Sequence, residues 1–316
     1  FKKRKKKNIP YPKGRDVDDT SIREVNNLIS NLPLSRDMLI EYLHLVQDKY
    51  RCLRKKHLAG LSEILKIPFS EVFEVATFYA HFDVVEDNEP TPPKITVRVC
   101  DSLTCELKGS IKIIKELQKN VNSKEVRVVR APCMGLCDSA PACEVGHNHV
   151  TNINVEKILD TIRNDDIHPK IINGITLDDY IKLGGYKLLD SCRNNEFKLE
   201  DIINKLNDSG LKGMGGAGFP SGQKWKFVRM ENGPRLMTIN GDEGEPGTFK
   251  DKLYLEKDIH RFFEGMLIAA WAVEAQKIYI YMRDEYPGIR HKMISELIKL
   301  KARGILGNTK VYVRRG

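Results

Sequence analysis

From Thr20 to about Tyr79 apolar residues recur at three- and four-residue spacing, in "SIREVNNLISNLP", "DMLIEYLHLVQDKYRCL", "LAGLSEILKIP" and "SEVFEVATFYAHF". That period gives each segment one apolar face and predicts a helical bundle over 19–90. Asp37, Ser62 and Ser70 stand where N-cap or first-turn residues would, and Pro68 parts one helix from the next. Cys52, inside one of these helices, reads as a small buried apolar residue. The charged, proline-rich "EDNEPTPP" is a linker. Beyond it the period changes. "KITVRVC" alternates like a half-buried strand, "LKGSIKIIKELQKNV" is an amphipathic helix and "KEVRVVRAPC" a second strand. Short strands around "ACEVG" and "HNHV" and the helix "NVEKILDTIRND" follow. This order over 91–168 fits a thioredoxin-like α/β unit. Region 169–316 begins in the turn-rich "DDIHPKIINGI", with helices at "TLDDYIKLGG" and "KLEDIINKLNDSG". A glycine-rich loop comes next, then strands alternating with helices as far as the strand-like "NTKVYVRRG". The expected class is a multidomain mixture of α/β and α+β, without internal repeats.

Length and charge narrow the field. A chain of 316 residues exceeds one average core. No apolar run approaches the roughly 20 residues of a membrane-spanning helix, so no membrane insertion is expected. Much of the net charge of +9 sits in "FKKRKKKNIPYPKGR", which makes 1–18 a solvated, disordered tail by composition. No aromatic-interleaved basic groove follows it, and no nucleic-acid partner is expected. A first residue that is not methionine, and a last segment that stops in a strand, point to a chain incomplete at both ends. Seven cysteines, mostly between Cys100 and Cys143, suit a reducing cytoplasm better than a secreted disulfide scaffold.

Each of two cysteine pairs sits at a strand end. Cys100 closes "ITVRVC" and Cys105 follows in "CDSLTC"; Cys133 closes "VRVVRAPC" and Cys137 follows in "CMGLC". Two loops at one sheet edge would converge four thiolates, which suit zinc or an iron–sulfur cluster; disulfides and unligated thiols are the other readings. The spacings are wider than the tight C-x2-C turns of zinc knuckles. His147 and His149 in "GHNHV" could replace a ligand as in a Rieske centre, but four thiols suffice, and they read as hairpin residues.

"GLKGMGGAGFPSGQKW" contains a formal G-x-G-x-x-G at Gly213, Gly215 and Gly218, yet a helix precedes it where the dinucleotide fingerprint requires a strand. What the glycines do imply is backbone able to lie against a planar or phosphorylated ligand, with Lys224 for a phosphate and Phe219 and Phe227 for stacking. "MTINGDEGEPGTFKD" places Asn240, Asp242, Glu243 and Glu245 on a loop bounded by Gly241, Gly244 and Gly247. Such carboxylates suit sugar or ribityl hydroxyls; an ordinary acidic turn and a hard-cation site are the alternatives.

The four-cysteine pattern, with "VATFYAHF" and "APCMGLCDSAPA", resembles the thioredoxin-like [2Fe-2S] ferredoxin module of NADH dehydrogenases, the 24-kDa family. The resemblance implies that Cys100, Cys105, Cys133 and Cys137 are cluster ligands and Cys143 a bystander. It also implies that Gly135 lets backbone amides approach the sulfides. The two later loops resemble the FMN- and NADH-binding 51-kDa family and its relatives in NAD-reducing hydrogenases and formate dehydrogenases. By that likeness Gly213, Gly215, Gly216, Lys224, Asn240, Asp242 and Glu243 hold FMN, and Phe219, Phe227 and Glu245 line the nicotinamide side for NAD(H). Met214 stands where the respiratory enzymes usually carry arginine, so a positive contact is lost.

"GMGGAGFP", "PRLMTINGDEGEPGTFKDKLYLEKD", "HRFFEGMLIAAW" and "IYIYMRDEYP" look most like the β (diaphorase) subunit of NAD-dependent formate dehydrogenase, with ferredoxin and flavin modules fused. This implies a helical bundle, a thioredoxin-like [2Fe-2S] domain and the N-terminal part of an FMN-binding domain. It further implies electron transfer between iron–sulfur clusters and NAD through FMN, with no residue acting as a general acid or base. The partners would be a molybdenum or tungsten catalytic alpha subunit carrying iron–sulfur clusters and a small gamma subunit, in the cytoplasm. A [4Fe-4S] cluster is expected only beyond Gly316. The rival enzyme readings are the fused diaphorase subunit of an NAD-reducing hydrogenase and a respiratory NADH dehydrogenase pair; the rival outside enzymes is a structural zinc protein.

Overall fold

A computed structural model describes residues 17–316; the basic tail expected over 1–18 lies, up to residue 16, outside the described residues. Two compact units are present, one of residues up to Val99 with Ile114–Pro132, the other of Cys100–Ile113 with Cys133–Gly316.

The first unit carries the expected bundle: α1 (Asp19–Ile29), α2 (Leu39–Tyr50), α3 (Lys55–Leu65) and α4 (Phe69–Phe78). Their apolar faces meet in a core that includes Val25, Tyr42, Leu43, Leu58, Leu61 and Val72. The cap of α1 is Asp18, whose carboxylate accepts the Ser21 N–H at 2.7 Å. Of the expected caps, Asp37 lies in a 3-10 turn leading into α2, and Ser70 in the first turn of α4 behind Pro68. Ser62 is no cap. It sits inside α3, its hydroxyl donating to the Ile67 carbonyl at 2.7 Å. The helix begins at Lys55, whose polar first turn hides the start from an apolar period. After α2 the chain turns at Arg51 and Leu53–Arg54 forms β1, parallel to β2 (Val84–Val85). Cys52 is fully buried, as expected, but it lies in the bend between α2 and β1 rather than inside a helix.

Strands β3 (Ile95–Cys100) and β4 (Val126–Ala131) are neighbours in a sheet, and β5 (Ala142–Val145) and β6 (Asn148–Thr151) form an antiparallel hairpin. The amphipathic helix expected from "LKGSIKIIKELQKNV" is α6 (Ser110–Asn120); a short helix that was not expected, α5 (Leu103–Leu107), precedes it, parted from it by Gly109 at φ +91°. Leu103 and Leu107 are exposed, so α5 has no buried stripe to announce it. Helix α7 (Val155–Arg163) follows, capped by Asn154.

In the second unit α8 (Leu177–Lys182), α9 (Lys187–Arg193), α10 (Leu199–Asp208) and α11 (Ser221–Met230) lead to β7 (Arg235–Gly241). Helix α9 was not expected; seven residues carry too little period to register. Then come α12 (Lys250–Lys257), α13 (Ile259–Val273), β8 (Ala275–Met282), α14 (Pro287–Ala302) and β9 (Lys310–Arg315). The strands pair in parallel in the order β7-β8-β9, with Thr238 opposite Tyr279 and Tyr279 opposite Tyr312. Ile278, Ile280 and Met282 pack with Phe263, Met266, Leu267 and Met293 in the core. Parallel strands joined by helices open their crevices at the C-terminal strand ends. Here those ends release the acidic loop after β7 and "RDEY" after β8. Among the described residues no helix is long and apolar enough to cross a membrane.

Candidate cofactor site

The four cysteines of interest lie together in the second unit, all as free thiols. Cys100 ends β3, Cys105 stands on α5 rather than in a loop, Cys133 follows β4, and Cys137 opens a 3-10 turn. The first three are buried and Cys137 is partly exposed. Their sulfurs touch in series: Cys105 with Cys100, Cys100 with Cys133, and Cys133 with Cys137 at 3.4 Å. Among the described residues no group of three or more His, Cys, Asp or Glu side chains is arranged around a single metal ion.

Every sulfur also receives a backbone N–H. Ser102 donates to Cys100, Ala142 to Cys105, Gly135 to Cys133, and Gly247 to Cys137 at 3.3 Å. Amide donors favour negative sulfur. Crowding works against it: the Cys105 contact pushes Cys100 up to about 11, the Cys100 contact raises Cys133, and burial raises Cys137. Cys105 alone is lowered, by its bond from Cys100. Four thiolates so close can coexist only around positive charge, which is the chemistry of an iron–sulfur cluster held by cysteine. Cys143 is buried on β5, where burial raises its thiol and the charges beside it are Glu144 and Lys157. His147 and His149 belong to the β5–β6 hairpin segment and line a cavity with Lys170 and Glu256.

The acidic loop abuts this constellation. Glu243, at φ +47°, turns its carboxylate inward, where it accepts the N–H groups of Asp251 (2.8 Å) and Lys252 (3.0 Å) and the Tyr286 hydroxyl (3.0 Å). Asn240 and Glu245 are exposed and Asp242 is half-buried, its N–H donating to the Asn240 side chain at 2.9 Å. Gly247 reaches Cys137, and Lys252 Nζ lies 3.3 Å from Asp138. Two residues that sequence reasoning did not single out complete the arrangement. Arg283 donates to the carbonyls of Cys133 (2.6 Å) and Glu243 (2.8 Å), and the Tyr286 hydroxyl crowds Gly135. The available signal was "MRDEY" directly after β8, charged and aromatic residues at a C-terminal strand end.

Burial would raise the Glu243 carboxyl, but the two amides, the Tyr286 hydroxyl and Lys250 outweigh it and hold it below its ordinary 4.5. A lowered carboxyl stabilises the fold fully above that ordinary value and loses its contribution as pH falls through the folded value. Glu243→Gln is therefore expected to lower the melting temperature at neutral pH, with the gap to wild type closing below pH 4.5. Thermal scans across that range check it; a gap independent of pH would show that the charge is not used.

The glycine loop is closed by Gly213 N–H to the Phe219 carbonyl (2.8 Å) and Ser221 N–H to the Leu211 carbonyl (2.9 Å). Gly216 and Gly218 adopt φ +101° and +61°, where a side chain would be strained. A Cβ on Gly215 or Gly216 would meet no atom of the chain within 4 Å, so internal packing does not require these glycines; close approach of a flat ligand would. The loop borders a cavity of about 570 Å³ lined by Gly213, Gly215, Phe219, Lys224, Trp225 and residues of β7. That size suits a cofactor. Gly216 and Phe227 are not among its lining residues, although the Phe219 and Phe227 rings lie 6.1 Å apart, both about half exposed. Met214 points into solvent, 89% exposed. Asn240 instead lines a second cavity with Gly241 and Asp251, and Ile239 borders both.

Residues 25–165 match the family described as thioredoxin-like [2Fe-2S] ferredoxin, and residues 206–316 the Nuo51 FMN-binding domain. The chain thus fuses a 24-kDa-type [2Fe-2S] domain with a 51-kDa-type FMN domain, the two cofactor classes expected from sequence. Among known proteins, the NAD-reducing hydrogenase HoxS subunit alpha of Cupriavidus necator is 28% identical, matched over 90% of this chain and 52% of that protein. An NADH-quinone oxidoreductase subunit of Aquifex aeolicus is 41% identical over 45% of this chain and 34% of its own length. A crystal structure of NAD⁺-reducing [NiFe]-hydrogenase in the air-oxidized state shares the fold at TM-score 0.69 and 24% identity, over 88% of this chain and 51% of that one. The chain spans from about a third to about half the length of these relatives.

Proposed function

We propose that the chain is the electron-transfer (diaphorase) subunit of an NAD-dependent oxidoreductase, passing electrons between iron–sulfur clusters and NAD(H) through FMN. The observation that carries this reading is the Gly247 N–H on the Cys137 sulfur, a direct bond between the cysteine constellation and the acidic loop. Cys100, Cys105, Cys133 and Cys137 are the proposed cluster ligands. Gly213, Gly215, Gly216 and Lys224, with Asn240, Asp242 and Glu243, are the proposed FMN residues; for Glu243 the role runs through loop shape, because its carboxylate is occupied. Phe219, Phe227 and Glu245 would face NAD(H). FMN supplies the exchange between paired and single electrons. The protein binds and orients it, and its amides tune the sulfurs. The proposed organisation is a helical bundle over 19–90, a cluster domain over 91–168 and a flavin domain over 169–316, in a cytoplasmic complex.

Within this class the motif strings around the flavin loops support a formate dehydrogenase β subunit with a molybdenum or tungsten partner. The HoxS alpha match over 90% of the chain supports a hydrogenase partner. Anaerobic visible and EPR spectra of the full-length protein, before and after NADH, test the class. A reducible [2Fe-2S] signal with bound flavin, and about two iron and two sulfide per chain, are expected; one zinc and no flavin would overturn it. Co-purification with a molybdopterin subunit is expected on the formate reading, and with a [NiFe] subunit on the other.

A further inference from the structure

Arg283 emerges from β8 into the interior, 5% exposed, and its guanidinium faces two loops at once. One terminal nitrogen donates to the carbonyl of Cys133 at 2.6 Å and the other to the carbonyl of Glu243 at 2.8 Å, while Nε meets Glu285 at 3.1 Å. Its plane lies over the ring of Tyr286, 5.2 Å from the centroid. Tyr286 in turn holds the Glu243 carboxylate and crowds Gly135. Both carbonyls belong to buried residues. The planar fork of arginine reaches two acceptors in fixed directions, which a single ammonium does not. Glu243 has positive φ without being glycine, and such a conformation persists only when its surroundings over-determine it. Here the carboxylate is held from one side and the carbonyl from the other.

We infer that Arg283 is a positioning residue shared by the two cofactor loops: it fixes the backbone of Cys133 and of Glu243 together, so the cluster loop and the acidic loop keep or lose their geometry as one. The inference rests on the functional reading above and adds a residue outside the ligand set. Without the guanidinium, two buried carbonyls lose charge-assisted donors, and a positive charge beside a cluster ligand disappears. The first loss loosens the acidic loop; the second lowers the reduction potential of the cluster.

The test uses full-length protein purified anaerobically, as wild type, Arg283→Met, Arg283→Lys and Tyr286→Phe. Two readouts are kept separate: the potential and EPR line shape of the reduced cluster, and the affinity for added FMN after flavin removal. In Arg283→Met the potential should fall, the line shape should change and FMN should bind about tenfold more weakly. Arg283→Lys keeps the charge but not the fork, so it should restore most of the potential and leave FMN binding weakened. If Arg283→Met does not fold, Arg283→Lys and Tyr286→Phe decide, the latter expected to weaken FMN binding with little change in potential. Wild-type cluster and flavin properties in Arg283→Met would overturn the inference, as would FMN binding unchanged in both Arg283→Lys and Tyr286→Phe. Wild-type protein lacking both iron and flavin would instead overturn the functional reading.

Discussion

Cys133→Ser is expected to abolish the [2Fe-2S] absorption and EPR signal, with iron falling from about two per chain to near zero. Cys133 stands in the middle of the sulfur series, in contact with Cys100 on one side and 3.4 Å from Cys137 on the other. It also takes the Gly135 amide and stands two residues beyond the end of β4. A serine hydroxyl is a hard, weakly acidic donor that does not replace a soft thiolate on iron. Loss at this position therefore leaves the set short and breaks the contact between the two cysteine pairs. Cys143→Ser makes the contrast. Cys143 is fully buried on β5, a strand buried along its whole length, so a hydroxyl there costs about 1–3 kcal/mol of stability but no ligand. Iron analysis and EPR of both variants, purified in parallel, check the pair; equal loss of signal would mean that Cys143 belongs to the ligand set.

Local chemistry was the legible part of this chain. Each cysteine pair was visible because a strand of alternating residues runs into it, and the two glycine-bounded loops were visible because glycine clusters mark backbone that side chains would strain. What escaped depends on contacts between distant segments. The acidic loop could be read, but not that Glu243 turns inward, since its hydroxyl partner lies 43 residues further on. Arg283 stood in a quoted motif, yet its role is set by a carbonyl 150 residues away. The misplaced Ser62 cap and the missed α5 fail for a nearer reason: polar first turns and exposed leucines carry no apolar period, so the boundaries there are fixed by tertiary packing.

Gly135→Ala is expected to destabilise the protein by about 2–5 kcal/mol, because two independent costs fall on one methyl group. The backbone at Gly135 has φ +69°, a region that costs an L-residue about 1–2 kcal/mol. The new Cβ would also press on the Tyr286 hydroxyl and come within 2.7 Å of Cε1 and Cζ of the ring. That ring is 2% exposed, and its hydroxyl is engaged by Glu243, so it can retreat only by giving up the bond that shapes the acidic loop. Overpacking of this kind adds about 1–3 kcal/mol. Gly109→Ala separates the two costs. Gly109 has φ +91° but nothing within 4 Å of where a methyl would stand, so its variant bears the backbone cost alone. Thermal melts of both variants should place Gly135→Ala well below Gly109→Ala, and FMN binding should weaken only in the former. Equal melting temperatures would mean that Tyr286 yields freely, and that the cluster loop and the acidic loop are not clamped through it.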